Sequence, residues 1–143
     1  MLSRPVVDRL KDQIKDLRKV AGAANFASAH DDIKGEPRHA YVIPANDSAQ
    51  PNRADTNGAV MQWVSERFSV ALAVSNRRDP RGEHAINNEL ESLRSQVMAA
   101  LLGYVPANGY DPIEYVSGNL LQLTPGVLWW SMTFSTGYLE RNY

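Results

Sequence analysis

The chain contains no cysteine among its 143 residues, which excludes disulfide bonds, thiolate metal ligands and thiol nucleophiles. It lacks the run of roughly eighteen apolar residues that a membrane helix needs, and its N-terminus lacks the apolar segment of a signal peptide. We therefore expect a soluble protein that is not exported. An excess of one charge sign is also absent, because 15 Lys and Arg residues offset 16 Asp and Glu residues. With a formal net charge of -1, the chain lacks the excess of positive charge that is typical of a nucleic-acid-binding domain.

Motifs that carry catalysis or hold a cofactor are missing as well. The sequence has neither a Gly-rich phosphate loop nor a dinucleotide fingerprint. Its three histidines, His30, His39 and His84, have acidic neighbours, but their spacing matches no metal-ligand pattern. No Gly-x-Ser-x-Gly elbow supports a Ser/His/Asp arrangement. The sequence therefore predicts a protein that is not an enzyme and that has no catalytic residues, no metal site and no cofactor.

The composition is that of an ordinary globular protein, with 43% hydrophobic and 22% charged residues, and the length fits one domain over residues 1–143. Apolar residues at three- and four-residue steps predict an amphipathic helix over residues 5–20. A second helix is predicted to begin with Asp79 as its cap and Pro80 at its first position, to carry apolar residues at helical spacing from Ile86 to Leu101, and to end at Gly103. Residues 20–36 show no clear period and are predicted to be a connector with possible helical turns.

Four segments alternate apolar and polar positions and are rich in β-branched and aromatic residues, the pattern of strands. They are residues 38–43, 60–74, 113–124 and 127–139. Pro44 is expected to end the first strand, and Pro125-Gly126 to join the last two as a hairpin. The order α-β-β-α-β-β predicts an α+β fold in which a mostly antiparallel sheet of about four strands packs against two main helices.

A polar segment over residues 44–58 holds almost only turn and coil formers, which predicts a long mobile loop. Loops of that length are uncommon inside compact domains and are often functional. We expect this loop to contact a partner. The candidate contact residues are its polar members, Asn46, Asp47, Gln50, Asn52, Arg53, Asp55 and Asn57.

The last forty residues are almost uncharged, since only four charged side chains follow Tyr104. An uncharged strand face is poorly protected against edge pairing, so another strand or another subunit is expected to cover it. Trp129 and Trp130 are consecutive, so one of them must face away from the core, and exposed tryptophans are enriched at protein interfaces. The candidate subunit-interface residues are Trp63, Trp129, Ser131, Thr133 and Tyr138.

The order of these segments, and several short stretches of sequence within them, resemble those of a known protein family. A basic amphipathic helix precedes Pro-Arg-His-Ala-Tyr-Val-Ile-Pro-Ala, a polar loop and Trp-Val-Ser-Glu-Arg-Phe-Ser-Val-Ala-Leu-Ala-Val, and an Asp-Pro-Arg-Gly-Glu turn, a helix and an aromatic hairpin follow. Over nearly its full length, the chain resembles the tail terminator proteins of long-tailed bacteriophages, particularly the small Mu-like and lambda-like ones. The resemblance implies an α+β subunit of a homohexameric ring on the head-proximal end of the tail tube.

Such a ring stops tube polymerisation and offers a docking face to head-completion (neck) proteins, with no reaction involved. The resemblance implies further copies of the chain, the tail tube protein and a neck protein as partners, without a membrane. It also implies assembly in the host cytoplasm and a place in the virion, where DNA crosses the lumen without specific binding. Two alternatives stay open: a phage head-completion or stopper protein, and a cytosolic α+β ligand-binding or hydrolytic domain.

Overall fold

The computed structural model describes residues 3–29, 37–75, 85–124 and 126–142. The elements in chain order are α1 (Ser3–Gln13), β1 (Lys19–Gly22), α2 (Ala23–Ala29), β2 (Arg38–Ala49), β3 (Met61–Ser75), a π-helical segment (Ala85–Leu90) that leads into α3 (Glu91–Leu101), β4 (Glu114–Thr124) and β5 (Val127–Arg141). The predicted α+β class is confirmed. Asp79 and Pro80, predicted to start the second helix, lie outside the described residues.

One sheet contains all five of these strands in the order β1-β2-β3-β5-β4. Neighbouring strands are antiparallel except for β1 and β2, which are parallel from Lys19 opposite His39 to Gly22 opposite Val42. The prediction of about four strands missed β1. A four-residue strand is too short for a recognisable period, and β1 forms because its backbone meets the edge of β2.

The first helix ends at Gln13, so its predicted extension to Val20 is wrong. Ile14 and Leu17 continue the helical spacing because both side chains pack on the core from the turn after the helix. The Arg18 N–H then donates to the Arg38 carbonyl oxygen at 2.9 Å, which carries the chain into β1. Ile14 and Leu17 thus have the spacing of a helix although they lie in the turn that follows it.

The second strand continues through Pro44 to Ala49, so its predicted end and the predicted loop over residues 44–58 are both wrong. A bulge at residue 45 follows Pro44, and pairing with β3 then runs from Asn46 opposite Arg67 to Ala49 opposite Val64. Proline is tolerated because pairing with β1 ends at Val42, so beyond it no described strand flanks that edge of β2. The connection between β2 and β3 therefore covers residues 50–60.

Helices α1 and α3 cover one face of the sheet and form the main core with it. Val6 and Leu10 of α1 and Val97 of α3 pack there against strand residues that include Leu72 and Phe134, all of them buried. The opposite face, here called the outer face, carries a smaller cluster of Tyr41, Ala71, Ala73, Val127 and Trp129, against which Phe26 of α2 packs. The sheet is therefore covered on both faces at this end.

The predicted closing hairpin is confirmed. Thr124 pairs with Val127, and Gly126 adopts a φ of 102° that favours glycine, whereas Pro125 lies outside the described residues. Gly103 ends α3 as predicted, with a φ of 79°. Pairing between β3 and β5 is continuous from Met61 opposite Arg141 to Ser75 opposite Val127. These two strands are the longest of the sheet and pair along their whole length.

Candidate assembly surfaces

The first candidate surface is the β2–β3 arm, defined as residues 46–64. Its two strands stay paired past the end of the ladder, because the Gln50 N–H donates to the Trp63 carbonyl at 2.8 Å and the Arg53 N–H to the Met61 carbonyl at 2.9 Å. The expectation of a mobile loop is therefore corrected. Asn46 and Asp47, predicted as loop residues, are exposed residues of β2.

Two asparagines hold the tip of the arm. The Asn52 Oδ1 accepts from the Ala54 N–H at 2.9 Å and from the Met61 N–H at 2.8 Å, while its Nδ2 donates to the Ala59 carbonyl at 3.0 Å. Asn142, which follows β5, accepts from the Val60 N–H at 2.7 Å through its Oδ1. Its Nδ2 donates to the carbonyl of residue 58 at 3.0 Å. The tip is thus organised before it meets any partner.

The other predicted contact residues of this segment differ in what their side chains do. The Arg53 Nη2 donates to the Gln50 Oε1 at 2.9 Å, so this pair supports the arm itself. Asp55 and Asn57 are exposed, and neither side chain makes a hydrogen bond to another described residue.

The predicted subunit-interface residues do not form one patch. Trp129 is only 2% exposed and packs against Phe26, with ring centroids 5.5 Å apart, so the expectation that it is exposed is wrong. Trp129 and Trp130 do point to opposite faces, but helix α2, in the segment predicted as a connector with possible helical turns, covers the outer face here. Ser131 is buried as well, at 7% exposure. Both residues therefore contribute to the interior of the subunit.

The remaining three interface candidates are half-buried. The Thr133 Oγ1 lies 3.2 Å from the Ser69 Oγ on the neighbouring strand, within hydrogen-bond distance on the outer face. Tyr138 pairs with Val64 and packs on Tyr110, with ring centroids 5.0 Å apart. Strand alternation places Tyr138 on the face opposite to Thr133. An interface role for these residues stays a prediction.

Trp63 lies beside a polar groove on the outer face. A side-chain carbon at Gly137 would lie 3.1 Å from the Trp63 Nε1 and 2.9 Å from the Val64 carbonyl oxygen, so glycine is needed for this close approach. The groove has a volume of about 400 Å³ and is lined by Ser65, Asp111, Pro112, Glu114, Ser135 and Thr136. Hydroxyl and carboxylate groups make it a polar contact surface with an acidic rim.

A third surface lies along the edge strand β4, and none of its residues is among the predicted contact or interface residues. Six large apolar side chains are between 39% and 48% exposed, and all of them fall within residues 102–123. Four of them belong to β4 and are called the β4 surface here: Val116, Leu120, Leu121 and Leu123. The other two, Leu102 and Val105, lie between α3 and β4. Irregular pairing with β5 at positions 116 and 121 accompanies this exposure. The signal in the sequence is the absence of charge from residue 115 to residue 139.

His39 is the one histidine within the described residues, since His30 and His84 lie outside them. Its Nδ1 is 3.2 Å from the Tyr41 hydroxyl, and burial, aided by the neighbouring cations Lys19 and Arg18, lowers the pKa of His39. Across the described ranges, no three His, Asp or Glu side chains are grouped so that they could hold a metal ion. Nor is any helix within those ranges long and apolar enough to cross a membrane.

The comparison with protein families decides how these surfaces are interpreted. Residues 2–143 match the family described as "Phage tail terminator protein". The chain belongs to the phage tail terminator family. The resemblance noted in the sequence is thereby confirmed, and the chain is a bacteriophage structural protein, a component of the virion tail. A comparison with curated proteins gave no match.

As a tail terminator family member, the subunit presents three unlike surfaces. The arm is polar and held by hydrogen bonds at its tip, the groove beside Trp63 is polar and acidic, and the β4 surface is apolar.

Proposed function

We propose that the chain forms a homohexameric ring that caps the head-proximal end of the tail tube and stops tube polymerisation. The ring also offers a docking face to head-completion (neck) proteins, after assembly in the host cytoplasm. The observation that carries this proposal is the family match over residues 2–143. The protein acts by complementarity of its interfaces, without a reaction or a cofactor.

The unlike edges of the sheet support ring formation. A ring closes through a heterologous interface, in which each subunit offers two different patches to its two neighbours. At one edge the sheet ends in β4 with its apolar side chains, and at the other it ends in β1 and the uncovered half of β2. One subunit therefore carries two different lateral surfaces on opposite sides.

The arm supports contact with the tube or the neck. Its tip is exposed and polar, and Asn52 and Asn142 hold it in one conformation. A preorganised segment loses less conformational entropy on binding than a mobile one. We propose that the arm docks as a rigid element, which replaces the expectation that a loop becomes ordered on docking.

The charge balance supports passage of DNA through the ring. Non-specific affinity for DNA comes mainly from Lys and Arg contacts to phosphates. The chain has a formal net charge of -1, with 15 Lys and Arg residues against 16 Asp and Glu residues, so it has no overall excess of cations for phosphates. We propose that DNA crosses the lumen without specific binding.

Capping of purified tail tubes tests the proposal. Tube protein is polymerised with and without the chain, and tube lengths and end structures are measured by negative-stain electron microscopy. We expect shorter tubes that carry a six-fold ring at one end. Tubes that elongate as if the chain were absent contradict the proposal, and binding to heads instead of tubes favours a stopper protein.

A variant of the arm locates the contact. Replacing residues 52–59 by a short Gly-Ser linker leaves the ladder up to Ala49 opposite Val64 intact, so we expect the protein to fold. We expect it to join tubes or heads poorly, whereas Lys11→Ala, on the exposed side of α1, behaves as wild type. If joining by the linker variant matches wild type, the arm has no part in the mechanism.

A further inference from the structure

We infer that a surface at the base of the arm accepts a lysine or arginine side chain of the tail tube protein, which pairs there with the carboxylate of Glu66. The surface lies on the same face of the sheet as the main core, where β2, β3 and β5 continue into the arm. We call it the Glu66 patch: Asp47, Glu66, Tyr110, Tyr138 and Glu140. The inference rests on the proposed function and names the kind of group that the ring recognises on the tube.

Strand pairing brings the members of the patch together. Glu66 alternates with Phe68 of the main core, and Asp47 lies directly opposite Glu66 on β2. On its other side, Glu66 pairs with the β5 residue that lies two positions before Tyr138. Tyr138 and Glu140 therefore lie on the same face as Glu66, because strand side chains alternate. Three carboxylates thus share one end of the sheet.

Glu66 is the member of the patch that most needs a partner. It is 7% exposed, and its carboxylate makes neither a hydrogen bond nor an ion pair with any described residue. A carboxylate removed from water is costly unless a cation or hydrogen bonds compensate it. Arg67, its neighbour in the sequence, points to the opposite face of the sheet. The subunit's described residues therefore leave this charge uncompensated.

The Glu66 carboxylate is also within reach of a group from outside. Within the described ranges, the fully buried polar side-chain atoms that lack a hydrogen bond are the Arg38 Nε and the Trp130 Nε1. The oxygens of Glu66 lack hydrogen bonds but are not among these atoms, so they reach the surface of the patch. The side chain is thus buried along its stem and open at its charged end.

The surroundings of Glu66 favour a cation. Burial raises the pKa of the Tyr138 hydroxyl, and the negative charges of Glu66, Glu140 and Asp47 raise it further. These carboxylates therefore act together at one place, which attracts positive charge. The rings of Tyr110 and Tyr138 lie 5.0 Å apart, and a Lys or Arg side chain gains from contact with aromatic rings. One cationic side chain can use the carboxylates and the rings at once.

The position of the patch indicates which partner supplies the cation. Asp47 belongs to the arm, and Gln62 of the arm lies directly opposite Glu140. A partner that seats on the arm therefore reaches the patch, and on the proposed function that partner is the tail tube. Interfaces match negative charge on one side with positive charge on the other. We therefore expect the tube protein to place a Lys or Arg side chain at the base of the arm.

Glu66→Gln tests the inference in two ways, because the amide keeps the shape of the side chain and removes its charge. We expect the variant to be at least as stable as wild type in urea, since an uncompensated buried charge is lost. We expect its binding to polymerised tube protein to weaken by about thirtyfold or more, since a buried charge pair loses one partner. Asp8→Asn, on the exposed side of α1, is the matched control and behaves as wild type in both measurements.

Two further sets of variants keep the test independent of Glu66→Gln. Glu140→Gln changes an exposed member of the patch and should weaken tube binding by about 2- to 5-fold. Single Lys→Ala and Arg→Ala variants of the tube protein identify the other partner by a double-mutant cycle. One of them should weaken binding to wild type strongly and binding to Glu66→Gln much less. Losses that add independently for every such cation overturn the inference.

The two proposals fail differently. If wild-type protein caps tubes and Glu66→Gln caps them equally well, or if Glu66→Gln is less stable than wild type, the inference is overturned while the proposed function stands. Loss of ring formation in Glu66→Gln places the cation on a neighbouring copy, and loss of head joining alone places it on a neck protein; both overturn the inference. If wild-type protein neither binds tubes nor shortens them, the proposed function is overturned, and the inference with it.

Discussion

Replacing Asn52 by alanine removes the side chain that holds the tip of the arm. The substitution deletes two accepted hydrogen bonds, from the Ala54 and Met61 amides at 2.9 and 2.8 Å, and one donated to the Ala59 carbonyl at 3.0 Å. Each contributes about 0.5–1.5 kcal/mol, at the lower end here because the freed groups can bond to water. The local cost is therefore about 1–2 kcal/mol, or a 5- to 30-fold larger population of the open tip.

Native-state amide hydrogen exchange measures this population. We expect the Met61 amide to exchange about 5- to 30-fold faster in Asn52→Ala, while the Ala71 amide in the middle of β3 is unchanged. Asp55→Ala is the matched control, because Asp55 lies in the same segment and its side chain bonds to no other described residue. Equal exchange of the Ala54 and Met61 amides in wild type and Asn52→Ala would refute the reasoning.

Three further predictions concern the subunit itself. Gly137→Ala places a carbon 2.9 Å from the Val64 carbonyl oxygen, so we expect a loss of about 1–3 kcal/mol in thermal denaturation; unchanged stability contradicts the geometry. Trp129→Ala should lower the free energy of unfolding in urea by about 3–5 kcal/mol, because Trp129 is buried under Phe26; a variant defective only in assembly contradicts this. The lowered pKa of His39 makes the folded state bind its proton less readily than the unfolded chain, so the fold loses stability as pH falls below about 6.5. Melting at pH 8 and pH 5 should show a smaller acid loss for His39→Gln, and an equal loss contradicts the assignment.

The elements with long, regular periods were predictable. The alternation in β3 and β5 identified those strands to within two residues at each end, and the helical spacing identified the C-terminal end of α3, because most of their burial follows one periodic face. The elements that were predicted wrongly depend on contacts with segments that are distant in the sequence. Lys19–Gly22 becomes a strand only because the edge of β2 lies beside it, and Pro44 stays in β2 only because no described strand flanks that edge there.

The arm shows the same limit at the level of side chains. Its composition indicated turns correctly, since residues 50–60 do connect two strands. A mobile loop and an ordered tip can have the same composition. The difference here lies in Asn142, which bonds to the tip from more than eighty positions away in the sequence. No local pattern could reveal that contact.

One missed element also explains the error at Trp129. Two consecutive aromatic residues in a strand must point to opposite faces, and that inference was sound. It predicted exposure only because no helix was expected on the outer face. Because α2 places Phe26 there, Trp129 is covered within its own subunit and needs no neighbouring subunit to bury it.

The long strand β5 links the arm to the Glu66 patch. It pairs with β3 down to Arg141 near the arm tip, and Tyr138 and Glu140 near this end belong to the patch. On the proposed function, a tip seated on the tube fixes the orientation of the whole sheet, and the Glu66 patch then meets a cation of the same partner. Loss of the arm and Glu66→Gln should therefore both leave rings that do not join tubes. Native mass spectrometry beside the tube assay verifies that the rings remain, and rings lost in either variant would show that these surfaces contribute to the contact between subunits instead.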